Sequence, residues 1–475
     1  MKRTIHLIVP VLALLMLTPG LFAQENAQTD GEAQPNASEE PAQPAETAGG
    51  GGGLGFGMGL TFGVSSFENP DTGEVETYQL LALRPEFVLG NFGLGLDLPV
   101  NYRFTGGDNG DEFEVREADW VPDSDTSFLE LYLPKFRYIR YGQKGDDVYA
   151  RFGGIPGATI GNGFLVNGYS NELYLPDRRI FGAVFDLDSA LAGVKYFGFE
   201  TMVSNVAAFD VMAGRFYVRP LAGTGLPLLP NLQVGVTVAA DRNPYYFAER
   251  DPDSVYYDTS TPNDTALMWG LDVRQPILSG DVLSLAAFGD VAFQEDRVGT
   301  MVGAGGRAAG FLLYGAQIRV TQDNFIPGYF DNTYDRRRLE RLAIFNGDTS
   351  VAGGASWLAQ LGFSALGDGI VFNTSLTGPF TTSPDVYPEL RSTLTVAEGI
   401  VPGFSGLSAE ASYTKFDIRE YNDLVSAENA MIGAQINIRS GPVVISLLYD
   451  LTYDPQASGG DQWTVTSGLE STISF

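Results

Sequence analysis

The chain of 475 residues has no cysteine, one histidine, 29 basic residues against 58 acidic ones, and no apolar run of helix-spanning length. Without cysteine there is no disulfide, no thiolate metal site and no lipid anchor on an N-terminal Cys. The single histidine, His6, lies in the leading apolar segment, so the processed chain has no imidazole. Ser-His and Cys-His catalysis are thereby excluded. The run 51–57 carries dinucleotide-like glycines, but no strand pattern precedes it and no helix pattern follows. Neither a cofactor nor a metal is expected, and the chain reads as a non-enzyme. The shortage of Lys and Arg argues against nucleic acid and anionic surfaces as partners.

The N-terminus supplies an address. Lys2 and Arg3 precede the apolar stretch Leu7 to Leu17, and Pro19-Gly20-Leu21-Phe22-Ala23 follows. A basic start, a short apolar core and a small residue at the end make residues 1–23 a secretory signal. That core is shorter than the ~20 residues a spanning helix needs. Removing Lys2 and Arg3 leaves 27 basic against 58 acidic residues, a net charge of −31. Residues 24–53 are Ala, Pro, Gln, Glu and Gly with no large apolar residue, and are expected to be a disordered periplasmic linker.

From Leu54 onward the dominant signal has period two. Trp463, Val465, Leu469, Ile473 and Phe475 alternate with Gln462, Thr464, Thr466, Glu470, Thr472 and Ser474. Val443, Ile445, Leu447, Tyr449, Leu451 and Tyr453 form another such face, as do Trp357, Ala359, Leu361 and Phe363. Segments of about ten alternating residues separated by turns are the signature of membrane-crossing strands. Gly is abundant at 58 residues, aromatics reach 12%, and charged residues are only 18%. Soluble domains carry about 25% charged residues. Short connections alternate with long ones near 105–126, 158–178, 243–264, 322–352 and 379–388; 220–230 and 294–298 break the alternation. The pattern predicts an all-β, antiparallel, up-and-down transmembrane barrel of 18–20 strands over 54–475, wide enough for an aqueous lumen unless loops fill it.

With signal, alternation and a terminal Ile473-Ser474-Phe475 in place, the chain resembles the Gram-negative outer-membrane porins as a class, without matching one porin family. The resemblance implies residence in the cell outer membrane among its lipids. It also implies recognition of Phe475 by the barrel-insertion machinery, and a channel for passive diffusion of small polar solutes; a homo-oligomer stays open. Two alternatives remain: a hydrophobic-solute transporter resembling the fatty-acid channels, and a structural or adhesive barrel with a plugged lumen.

The strongest local candidate is 322–352, the longest connection and the densest basic cluster. Asp331, Asp335, Arg336, Arg337, Arg338 and Arg341 are its expected constriction residues, on a short helix over 335–345. Opposed charges on a loop folded into the lumen would set an electrostatic constriction. An ordinary outer loop with locally paired arginines is the competing reading. Residues 151–179 look like a second inward-packing loop, with Arg151, Arg178 and Arg179 as secondary pore residues. The acidic loop 105–126 suggests solvation before Ca²⁺ binding, since its spacing fits no EF-hand. Tyr245, Tyr246, Phe247, Tyr256 and Tyr257 suggest an interfacial aromatic girdle.

Overall fold

The computed structural model describes residues 54–473, apart from 69–74, 108–109, 123–127, 174–178, 189–195, 227, 251–253, 258–260, 263, 281, 382–386, 427 and 454–462. The expected targeting segment 1–23, the linker 24–53 and Phe475 therefore lie outside the described residues. Among those described, no helix is long and apolar enough to cross a membrane. Twenty-two strands form one sheet, each antiparallel to its neighbours. The first strand, Leu54–Glu68, lies against the last, Trp463–Ile473, so the sheet returns on itself.

Two of the barrel positions are shared. Phe92–Leu96 and Leu98–Gly107 both pair with Val75–Leu89, and form one strand interrupted at Asp97. Gly110–Val115 pairs with the upper piece and Phe136–Tyr141 with the lower, the chain leaving between them as 116–135. Counting each pair once turns the 22 strands into twenty staves, the upper end of the expected range. The segments 192–219 and 297–321, the hardest to divide by pattern, resolve as Phe197–Val203, Val211–Val218, Arg297–Ala308 and Leu312–Thr321. In the last strand the register sets Leu469 opposite Leu447.

Alternation explains why this sequence closes into a barrel in lipid. Along Ala266–Leu278, Leu267, Trp269, Leu271 and Val273 are 54%, 43%, 52% and 45% exposed, while Met268 and Asp272 are 0% and 3%. The exposed positions form an apolar belt continued by Val234, Val236, Val238, Val302, Ile318, Leu361, Ile436 and Leu447. Lipid offers no hydrogen bonds, so only a closed ladder satisfies the backbone there. Short turns at one end use left-handed residues such as Gly90 (φ 57°) and Gly441 (φ 61°), a conformation that costs glycine little.

The inward face is not uniform. Ala158–Ile160, Val166–Tyr169 and Phe330–Asp331 form a separate three-stranded sheet. It packs with Phe164, Leu165, Phe325, Tyr329, Tyr334 and Phe345 against Met202, Ala213, Ala239, Met268, Ala292 and Met301 of the wall. Two long connections from the same end therefore fold into the barrel and fill one side of it.

Candidate pore and constriction

The first insert is the hairpin of 154–172, pinned at its tip. Gly161 has φ 61°. Its amide donates to Glu200 (2.7 Å), and its carbonyl accepts from Arg274 (2.7 Å). Arg274 also donates to Asn162 Oδ1 (2.9 Å), and the Asn162 amide donates to Asp290 (2.9 Å). Arg215, fully buried, sits beneath between Asp272 (2.5 Å) and Glu200 (2.8 Å). Each of these wall groups occupies an inward position of an alternating strand. Breaking such a buried pair costs about 3–5 kcal/mol, so the tip is firmly held.

The second insert, 322–352, is a strut. Gly328 (φ 63°) turns the chain inward, and Phe330–Asp331 runs parallel to Val166–Asn167. A 3₁₀ turn, Tyr334–Arg336, leads into the helix Arg338–Asn346, which Gly347 (φ 83°) terminates in the left-handed conformation. Leu342 and Phe345 are buried, and Phe330 meets Tyr334 edge-on at 4.7 Å. Fully burying one such side chain stabilises by about 1.5–3 kcal/mol.

Ion pairs anchor the strut at both ends. On one side Arg338, 3% exposed, pairs with Asp335 and Asp210 (both 2.8 Å) and Asp241 (3.4 Å). Tyr334 donates to Asp241 (2.8 Å) and Tyr169 to Asp335 (3.1 Å). Burial pushes the Asp335 carboxyl up, and Arg338 only partly offsets this. On the other side Asp331 pairs with Arg341 (2.8 Å) and with Arg391 (3.0 Å), whose guanidinium also donates to Asn332 (2.9 Å). Burial would raise the Asp331 carboxyl, but Arg341 and Arg391 override it and hold it well below the usual carboxylate range. Asp210 and Asp241 lie at the two facing ends of the strands Val211–Val218 and Gln233–Asp241, whereas Arg391 belongs to Glu389–Val396, far round the ring. The strut therefore crosses the lumen.

This arrangement divides the expected constriction residues. Asp331, Asp335, Arg338 and Arg341 come together as buried docking groups. Arg336 is exposed and within electrostatic reach of Asp450. Arg337 pairs with Glu340 (2.5 Å) and lies 5.9 Å from the Phe416 ring. The helix is displaced three residues from the expected 335–345 at its start, because Tyr334–Arg336 tightens into a 3₁₀ turn. Arg151 is buried, donating to the Gly154 carbonyl (2.7 Å) and stacking near Tyr138. Arg179 pairs with Asp97 (2.5 Å). Both hold the wall together rather than face a passage; Arg178 lies outside the described residues.

One expectation changes, for part of the aromatic cluster. Tyr245 and Tyr246 are not a lipid girdle: they are buried, Tyr246 bonding Asn205 (3.0 Å), and Phe247 stacks 4.6 Å from the Arg338 guanidinium. Their loop folds over the strut instead. In the acidic loop, Glu114 pairs with Arg103 (2.8 Å) and Asp119 with Arg116 (2.5 Å). Among the described residues no acidic group is arranged to hold a metal.

The two inserts leave the other wall wet. The registers place Asn373, Ser375 and Thr377, then Arg391, Thr393 and Thr395, then Ser408, Glu410 and Ser412 on the inward face. These side chains are half-buried or exposed, in contrast to the closed positions around Arg215 and Met268. Inward Gln435 and Asp450 continue the same wall.

No protein-family model matches the chain, and no curated protein is similar to it. Among solved structures, OccK10 (OpdN) of Pseudomonas aeruginosa is 10% identical, with 88% of this chain and 98% of that one covered at a TM-score of 0.34. OpdQ of the same organism is 9% identical, covering 89% and 96% at 0.30. The ferric enterobactin receptor PfeA is 11% identical, covering 89% and 74% at 0.34.

Proposed function

We propose that the chain is a porin-like channel of the cell outer membrane, through which small polar solutes diffuse passively between the strut and the open wall. One observation carries the reading: the hairpin lies against one side of the barrel and the strut crosses from that side to Arg391, while the inward face around this anchor keeps accessible hydroxyl, amide and charged side chains. A plugged structural barrel would have both sides closed. A hydrophobic-solute transporter would require an apolar path, whereas this wall is lined by Ser, Thr, Asn and Gln. In this reading the apolar belt meets lipid, and Phe475 serves the insertion machinery.

Arg336 and Arg337 set the charge at the constriction, because Arg338 and Arg341 are buried in their carboxylate pairs whereas Arg336 is exposed and the Arg337–Glu340 pair lies at the surface. The test is planar-bilayer recording of the purified chain in KCl. Stable single-channel steps are expected, with Arg336→Gln plus Arg337→Gln shifting the reversal potential toward cations. Absence of steps would overturn the channel. Wild-type selectivity in the double variant would remove those arginines from the passage.

A further inference from the structure

We infer that the recess where the hairpin tip meets the open wall is a binding subsite for an uncharged, polyhydroxylated solute, a sugar or polyol rather than an ion. This rests on the channel reading above and specifies what the channel favours. The recess has room for about 50 Å³ and is lined by Asn162, Asn167, Gln317, Leu358, Gln360 and Ser375. That is space for a few water-sized groups, enough for a hydroxymethyl arm or a pair of ring hydroxyls but not a whole ring. Such partial capture suits transit better than tight retention.

The lining chemistry selects the ligand class. Four of these residues are carboxamides and one is a hydroxyl, and none is charged. A carboxamide both donates and accepts, as does each hydroxyl of a polyol. Leu358 supplies an apolar surface for C–H groups. Two of the amides are held from behind: Gln317 Oε1 accepts from Arg319 Nε (3.1 Å) and Nη2 (2.6 Å), leaving its NH₂ to donate forward. Asn162 is fixed between Arg274 and Asp290. Asn167, Gln360 and Ser375 are half-buried, and their side chains make no hydrogen bond to the protein among the described residues, so these side chains are the free partners. An anion entering here meets no uncommitted cation: the Arg319 guanidinium is buried and turned into Gln317, and Arg391, opposite Ser375 on the same face, is already paired with Asp331 and Glu389. Beyond the recess, Thr377, Thr393 and Ser412 extend the hydroxyl chemistry along the wall, beside the paired Arg391 and Glu389.

The test uses the full purified chain in proteoliposomes, comparing osmotic swelling in isotonic D-glucose with that in potassium gluconate, a carboxylate of the same carbon count. Glucose is expected to enter several-fold faster. Asn167→Leu with Gln360→Leu should reduce the glucose-to-gluconate ratio roughly fivefold, the effect of losing one or two neutral hydrogen bonds. Gln360→Glu keeps the side-chain shape and an acceptor, and should fall between wild type and the leucine pair. Heat-modifiable migration on electrophoresis reports that each variant is a folded barrel. A wild-type ratio of one or below overturns the inference, whether or not the variants fold. So does an unchanged ratio in folded variants. In both cases KCl conductance would leave the channel standing, whereas its absence overturns channel and subsite together.

Discussion

Replacing Arg338 with Met tests whether the strut is held across the lumen by charge. The methionine fills similar volume, but it leaves Asp210, Asp241 and Asp335 facing one another around an apolar group. Arg338 lies 2.8 Å from two of these carboxylates and 3.4 Å from the third. Removing one partner of such a buried pair costs about 3–5 kcal/mol. The loss falls on docking of the strut, because Arg338 and Asp335 belong to it while Asp210 and Asp241 stand at strand ends that water reaches once it leaves. At about 1.4 kcal/mol per tenfold, the undocked population rises by two to nearly four orders of magnitude. The assay is single-channel recording at neutral pH, paired with limited proteolysis. A larger, flickering conductance and new cleavage within 322–352 are expected, with the heat-modifiable barrel intact. Adding Asp210→Asn, Asp241→Asn and Asp335→Asn to the variant should bring conductance back toward wild type, since a neutral cluster needs no cation. Wild-type conductance and protease resistance in Arg338→Met would refute the reasoning.

The far anchor gives a pH dependence of defined sign. Asp331 is held below its ordinary value of about 3.9, so its contribution to docking is present above that value and lost as pH falls through the docked one. Conductance should be insensitive to this latch from pH 8 to 5 and begin to rise only below about pH 4; a rise between pH 7 and 5 that Asp331→Asn abolishes would contradict it. Val236→Lys, on the exposed side of Gln233–Asp241, should lower barrel stability by about 2–4 kcal/mol in urea titrations in lipid. An effect near zero would move that position out of the hydrocarbon. Deleting Phe475 should reduce assembled barrel in cells far more than it lowers the stability of refolded protein; unchanged surface levels would argue against a role in insertion.

The barrel was legible because its cause is local. Period-two alternation fixes which face meets lipid at every strand, and the register of Trp463–Ile473 opposite Val443–Tyr453 follows from it. Inward packing of 322–352 was legible through its aromatic and basic density. Its partners were not: Asp210, Asp241 and Arg391 are single charges at strand ends, and nothing in their neighbourhood points to a segment about a hundred residues away. The split among the arginines was hidden for the same reason. Arg336, Arg337 and Arg338 are consecutive, yet successive residues of a tight turn face different directions, so one is buried and one meets water. Tyr245 and Tyr246 misled because an aromatic cluster in an outer loop fits a girdle as well as it fits a cover.

One signal was present without being read. An inward position on a barrel strand has to suit whatever faces it, so its residue type reports what that is. Asp272 stands between Leu271 and Val273, and Arg215 between Gly214 and Phe216. A charge placed inside an apolar alternation has no reason to be there unless it pairs across the lumen. On the covered side Glu200, Arg215, Asp272, Arg274 and Asp290 meet an insert or one another. On the open side the same positions include Ser375, Thr393, Ser412 and Gln435, hydroxyls and amides of which only Gln435 has a side-chain partner, Asn437, among the described residues. Inward charges stand there too: Arg391 receives Asp331, Asp450 lies within reach of Arg336 where the strut meets the far wall, Glu389 pairs with Arg391, and Glu410 meets no insert. Glu410 apart, inward charge gathers where a loop docks, and inward hydroxyls and amides line the rest. On the proposed channel reading, the passage runs along Ile370–Tyr453, the wall that the hairpin leaves uncovered and that the strut meets at Arg391 and near Asp450.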